Sequence, residues 1–181
     1  TLQPIVFDPV QCRREWDEFM ALLGSKRILS EKDDILPFFK SRPHLSLRIC
    51  SYFPKIVKAD RFAHEFEIYG DFIADLIVGD SHQHRYVLVE FENGAPDSIF
   101  KKHRKKTTPI WAPRFEGAYS QLTDWMWKLE DMRSTIHFAN TFGHPRAEFH
   151  GLIVIGKGMA LAPQEEDRLR WRMDKTALDS K

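Results

Sequence analysis

The sequence predicts an α/β fold, with a mixed central sheet flanked by helices. Three observations lead there. Runs rich in β-branched and aromatic residues, bounded by turn signals, cluster between residues 61 and 92. Helix-period apolar patterns stand on both sides of that cluster. A short apolar stretch over 149–155 follows the second helical pattern, so the order is helix, three strands, helix, strand, helix. The 181 residues fit one domain, with room for a small appendage and a sizeable core. Hydrophobic residues at 43% and charged residues at 29% are ordinary globular usage and argue against wholesale disorder.

Each element has its own signal. Within 13–23, Trp16, Phe19, Met20 and Leu23 recur at i, i+3, i+4 and i+7, with Gly24 placed to close the helix. Ser30 and Asp33 resemble a capping box opening a second helical segment through Phe39, and Pro37 inside it kinks or restarts the helix. The stretch 45–53 fits helix or strand alike. Residues 1–58 thus read as a helical lead-in and 59–181 as the core domain. Strands are expected over 61–69, 72–78 and 85–92. Turns at Gly70 and at Gly79-Asp80-Ser81 join them into an antiparallel meander. A basic, Pro-containing loop covers 97–114, and a helix over 116–133 aligns Ala118, Leu122, Trp125, Leu129 and Met132 on one face. The strand at 149–155 stops at Gly156, and Pro163 followed by Glu165, Glu166 and Asp167 marks a helix start. No internal repeat or low-complexity tract appears.

Composition excludes some classes of function. Lys+Arg 27 against Asp+Glu 26 gives a net charge of +1, which argues against coating nucleic acid through bulk electrostatics. No apolar run reaches the ~20 residues of a membrane span, and no secretory segment opens the chain. Cys12 and Cys50 are too few for a disulfide framework, suggest a reducing compartment and read as inert core thiols. A start at Thr1 and an end at Lys181 suit a processed chain or an excised domain.

The chemistry concentrates on acids. Asp75 interrupts the apolar run 72–78, on the face strand alternation gives to Ile73 and Ile77, where an unpaired carboxylate is costly. Glu90 and Glu92 share one face at the end of the next strand. A tight meander brings Asp75 beside them, and three clustered carboxylates call for a divalent cation or a basic group. Hard oxygen donors suit Mg²⁺ or Mn²⁺. The bland alternative is a solvated edge whose acids face water. Gln121 falls near the apolar face of its helix, where a buried amide needs partners, or else sits at the boundary of an ordinary amphipathic helix.

An Asp in an apolar strand, the run Val89-Glu90-Phe91-Glu92-Asn93 and a Gln-bearing helix together resemble the PD-(D/E)xK nuclease superfamily, whose core has this element order. More narrowly, Ala74-Asp75, Gln121-Leu122-Thr123-Asp124-Trp125, Gly151-Leu152-Ile153-Val154-Ile155-Gly156, the lead-in Asp34-Ile35-Leu36-Pro37-Phe38-Phe39 and Pro43 resemble the Shedu antiphage defence nuclease family. The resemblance runs from about Trp16 to Trp171. It implies a restriction-endonuclease-like core and a metal-dependent DNA endonuclease in the bacterial cytoplasm, self-associating into a homo-oligomer. It further implies that Asp75 and Glu90 ligate Mg²⁺ (or Mn²⁺), with catalytic parts for Glu92 and Gln121. Glu92 stands where the superfamily commonly carries Lys, a departure that also admits a catalytically silent module binding DNA ends or a protein partner.

Lys101, Lys102, Arg104, Lys105 and Lys106, with Arg114 beyond, form a basic stretch suited to gripping phosphates beside an acidic site, and Trp111 suits base stacking. A solvated loop is the plainer reading, and a localisation signal the weaker third. His82 and His84 read as hairpin-tip residues, Glu65 and Glu67 as solvent-facing, and Gly156-Lys157-Gly158 lacks P-loop spacing.

Overall fold

A computed structural model describes residues 1–105, 107–157 and 161–175. The chain opens with a two-residue edge strand, β1 (Gln3–Pro4), followed by helix α1 (Pro9–Ser25). Asp8 caps α1 by accepting the N–H groups of Val10 (2.8 Å) and Gln11 (3.1 Å), and Pro9 occupies the first turn. Gly24 lies inside this helix rather than closing it; Lys26 is the residue that turns extended. Of the expected apolar face, Trp16, Phe19 and Leu23 pack inward, while Met20 is exposed and Leu22 takes its place.

A π-helical turn (Glu31–Ile35) follows and hands over to α2 (Leu36–Lys40), so Pro37 sits in the first turn of a restarted helix, where its missing N–H costs nothing. The ambiguous stretch after it is helical: α3 (Pro43–Arg48) runs into a 3₁₀ turn (Ile49–Tyr52). Buried Glu15 ties α1 to α3 by accepting the Leu45 N–H at 2.6 Å.

Strands β2 (Arg61–Ile68), β3 (Phe72–Asp80) and β4 (Arg85–Phe91) form the antiparallel meander. Gly79 and Asp80 belong to β3, and the second turn falls on residues 81–84 instead. A small ribbon, β5 (Phe100–Lys101) with β6 (Ile110–Trp111), precedes helices α4 (Pro113–Met132) and α5 (Ile136–Phe142). Then β7 (Glu148–Val154) pairs parallel to β4, a connection that requires the helical crossover, and α6 (Pro163–Lys175) closes the order. The five-stranded sheet runs β1-β2-β3-β4-β7 and is mixed.

Both faces of the sheet are covered. Against one, Leu122, Trp125, Met126 and Leu129 of α4 and Phe138 and Phe142 of α5 pack on Ile77, Tyr86, Leu88 and Phe149. Against the other, Leu29, Ile35, Phe39, Leu45 and Leu47 pack on Leu76, Val78, Val87, Val89 and Phe91. Strict alternation fails at one rung. Ala74 and Ile77 both belong to the α4 side, as do Ala63 and Phe66 on the neighbouring strand, and between them Glu65 takes a positive φ of 48°. Ile73 is therefore exposed rather than sharing a buried face with Ile77. That irregular rung holds Asp75. Among the described residues, no helix is long and apolar enough to cross a membrane.

Candidate active site

Where β3 and β4 stop pairing, backbone acceptors and donors are left open. The ladder between them ends at Leu76↔Val89, and the next β4 N–H on the β3 side, that of Phe91, donates to Asp75 Oδ2 at 2.8 Å. A side chain thus replaces the missing strand partner, which fixes the direction of the Asp75 carboxylate. On β4, Phe91 turns into the lead-in core while Glu90 turns toward α4. Gln121 is exposed at the boundary of the apolar face of α4, not buried within it, and from there its Nε2 donates to Glu90 Oε1 at 2.8 Å. Just past the strand, the Glu92 N–H donates to Val154 O at 2.9 Å, continuing the parallel pairing and holding Glu92 beside Glu90.

Arg114, in the first turn of α4, donates to Glu92 Oε2 at 2.6 Å and reaches Glu31 Oε2 at 3.5 Å. The structure places Arg114 within the acidic cluster. Glu31 is a member that sequence reasoning missed. Its segment docks on the chain after β4: Leu29 and Gly94 exchange backbone hydrogen bonds of 3.1 and 2.9 Å, and the Glu31 N–H donates to Asn93 Oδ1 at 2.7 Å. Nothing local to Ser30 and Glu31 announces this; the partner lies 62 residues away.

Asp75, Glu90, Glu92 and Glu31 thus lie within electrostatic reach of one another, and Arg114 contacts the last two. Glu90 and Glu92 are 7% and 8% exposed, so water screens them poorly. Burial, then the neighbouring charges of Asp75 and Glu92, push the Glu90 carboxyl up to about 8. Burial raises Asp75 too, against the opposing Phe91 hydrogen bond, and burial with the charges of Glu92 and Asp75 raises Glu31. The cluster is short of positive charge. Among the described residues, however, no set of three or more His, Cys, Asp or Glu side chains forms a ready-made cage for a metal ion.

A cleft of about 560 Å³ opens beside the cluster, lined by Glu92, Arg114 and Lys101 among others. Lys101, Lys102, Arg104 and Lys105 are exposed on the ribbon and its loop; Lys106 lies outside the described residues. Trp111 is not free to stack a base. Its ring is sandwiched with Phe100 (4.4 Å) and Phe115 (5.0 Å), and the guanidiniums of Arg168 and Arg172 lie over it. His84 stacks on His144 and approaches Phe142 O, so it is half-buried rather than a bare hairpin tip, while His82 is exposed. Cys12 and Cys50 are buried and free, and burial pushes the Cys50 thiol up to about 12.

The family described as "Shedu protein SduA, C-terminal" matches residues 29–181. That span carries every member of the cluster. The chain belongs to the Shedu SduA C-terminal family. This is an antiphage defence nuclease family, and the resemblance read from the sequence motifs holds. The chain matches no curated protein. The match begins at Leu29, so it includes the Leu29–Gly94 bridge that brings Glu31 to the site of this Shedu domain and leaves α1 outside.

Proposed function

We propose that this Shedu domain is a metal-dependent DNA endonuclease of PD-(D/E)xK type, acting in bacterial antiphage defence from the cytoplasm. The observation that carries the reading is the pairing of Asp75 and Glu90 at the parted ends of β3 and β4. Each has one oxygen already tied, Asp75 by the Phe91 N–H and Glu90 by Gln121. Such carboxylates are aimed, and their desolvated, charge-deficient setting favours a cation. The donor set fits a hard ion. Two carboxylates leave other positions to water and substrate oxygens, a common way of holding Mg²⁺, and Mn²⁺ accepts the same ligands. When bound, the ion would neutralise charge on a non-bridging phosphate oxygen and acidify an attacking water.

The rest falls to the chain. Asp75 and Glu90 present oxygens to the ion, and Gln121 keeps Glu90 in its rotamer. A general base alone contributes roughly 10²–10⁴-fold, so most acceleration in this reading comes from positioning and electrostatics. Lys101, Lys102, Arg104 and Lys105 hold the phosphates flanking the cut, since Lys101 lines the cleft and the other three stand exposed in the loop that follows it. Self-association is part of the proposal, with Trp127, 61% exposed on α4, available to a second copy.

The test is cleavage of circular and linear DNA, with an RNA arm, in Mg²⁺ or Mn²⁺, beside Asp75→Ala and Glu90→Ala. DNA cut by the wild type and spared by both variants is expected. Equal background cleavage by all three proteins would reject the enzyme and favour a silent module that binds DNA ends or a partner. Preferential cutting of RNA would move the substrate class.

A further inference from the structure

Helix α4 meets the end of β4 as a two-rung ladder: Gln121 takes Glu90 at 2.8 Å, and Arg114 takes Glu92 at 2.6 Å. The two helix residues are seven apart, two turns on one face, and the two strand acids are two apart on one face. The four carboxylates therefore divide into two pairs with different partners. Among the described residues, Asp75 and Glu90 accept hydrogen bonds from neutral donors, the Phe91 N–H and the Gln121 amide. Glu92 and Glu31 both contact Arg114, through Nη1.

We propose that Arg114 is the phosphate-contacting residue of the site, and that Glu92 and Glu31 act through it as positioning residues rather than as metal ligands. The assignment rests on the nuclease reading above and says how that site receives an anion. A phosphodiester approaching four carboxylates meets net repulsion unless a cation faces it. Arg114 supplies that cation. Its side chain is 44% exposed and lines the 560 Å³ cleft, while Glu92 beneath it is 9% exposed. A guanidinium stays charged next to carboxylates and carries five N–H donors in a rigid fork, so one edge can rest on Glu92 while another meets phosphate oxygens. Two carboxylates hold it in place before substrate arrives, which removes the entropy cost of ordering a long side chain at the moment of binding.

The experiment uses the whole chain, a duplex oligonucleotide and Mn²⁺. It reads single-turnover cleavage together with the Mn²⁺-induced rise in melting temperature, for wild type, Arg114→Ala, Arg114→Lys, Glu92→Gln, Glu90→Gln and the double variant Arg114→Ala/Glu92→Gln. Removing one preorganised donor of this kind costs about 10²–10³-fold in rate. Arg114→Ala is expected to lose that much while keeping the Mn²⁺ shift, and Arg114→Lys to fall between. Glu92→Gln is expected to keep the Mn²⁺ shift and to add no further loss once Arg114 is gone; Glu90→Gln is expected to abolish the shift. Wild-type cleavage by Arg114→Ala, or loss of the Mn²⁺ shift in Glu92→Gln, overturns the assignment while leaving the nuclease reading standing. A wild type that neither cuts nor shifts with Mn²⁺ overturns both.

Discussion

Asp80 shows how one side chain can set the end of a strand. Its buried carboxylate accepts the N–H groups of Lys58 (3.0 Å), His82 (2.9 Å) and Gln83 (3.1 Å). Burial alone works to raise this carboxyl, but the three backbone donors outweigh it and hold it below the usual Asp range. A depressed folded pKa means stability that is present above the unfolded value near ~4 and lost as pH falls through the folded one. Asp80→Asn should therefore cost about 1.5–3 kcal/mol at neutral pH, with the gap to wild type narrowing as pH falls below the usual Asp range, as read by urea melts across pH. Beside it, a Cβ on Gly79 would stand 2.3 Å from Tyr86 Cδ1 and 2.5 Å from Arg85 O. Gly79→Ala is expected to destabilise by about 1–3 kcal/mol, and an unchanged melting temperature would refute that crowding. The sequence pattern marked Gly79-Asp80-Ser81 as a turn, and the strand instead runs through two of them. The reason is tertiary: glycine is there for Tyr86, and aspartate caps the turn from within the strand.

At the scale of elements, legibility follows length and period. The meander and the apolar face of α4 were readable because many residues repeat the same signal, and Gln121 on α4 could be picked out against that face. Helix α5 went unread because seven residues give too little period, although Thr135 caps it by accepting the Phe138 N–H and Gly143, at φ 76°, ends it. Asp75, Glu90 and Glu92 were readable as acids in apolar strands. Glu31 was not, because its place depends on the docking of the π-helical turn onto Asn93 and Gly94. That docking carries a prediction. Asn93→Ala removes the acceptor of the Glu31 N–H and should cost about 1 kcal/mol, with a larger loss of cleavage than of stability as Arg114 loses its second carboxylate. Cleavage at the wild-type rate, in a variant that has lost stability, would separate Glu31 from function.

For the whole molecule, a net charge of +1 conceals segregation. Acids collect at the parted strands, while Lys101, Lys102, Arg104 and Lys105 stand exposed on the neighbouring ribbon and its loop. If about four phosphates are gripped there, the slope of log K against log salt is near −3.6 in Ca²⁺ without cleavage. Replacing those four residues by Ala should flatten that slope toward zero without moving the melting temperature, because none of them is buried. An unchanged slope would place the DNA elsewhere on the surface. The sheet between its two helical layers supplies the rigid frame for this division, since helices from both sides, α4 and the lead-in, deliver residues to one end of β4. The central claim is that Asp75 and Glu90 share a divalent ion at that end. Anomalous scattering from crystals soaked in Mn²⁺ tests it directly. The expected result is a peak at bonding distance from both carboxylates, lost in Glu90→Gln; a peak seated on Glu31 and Glu92, or none at the cluster, would contradict it.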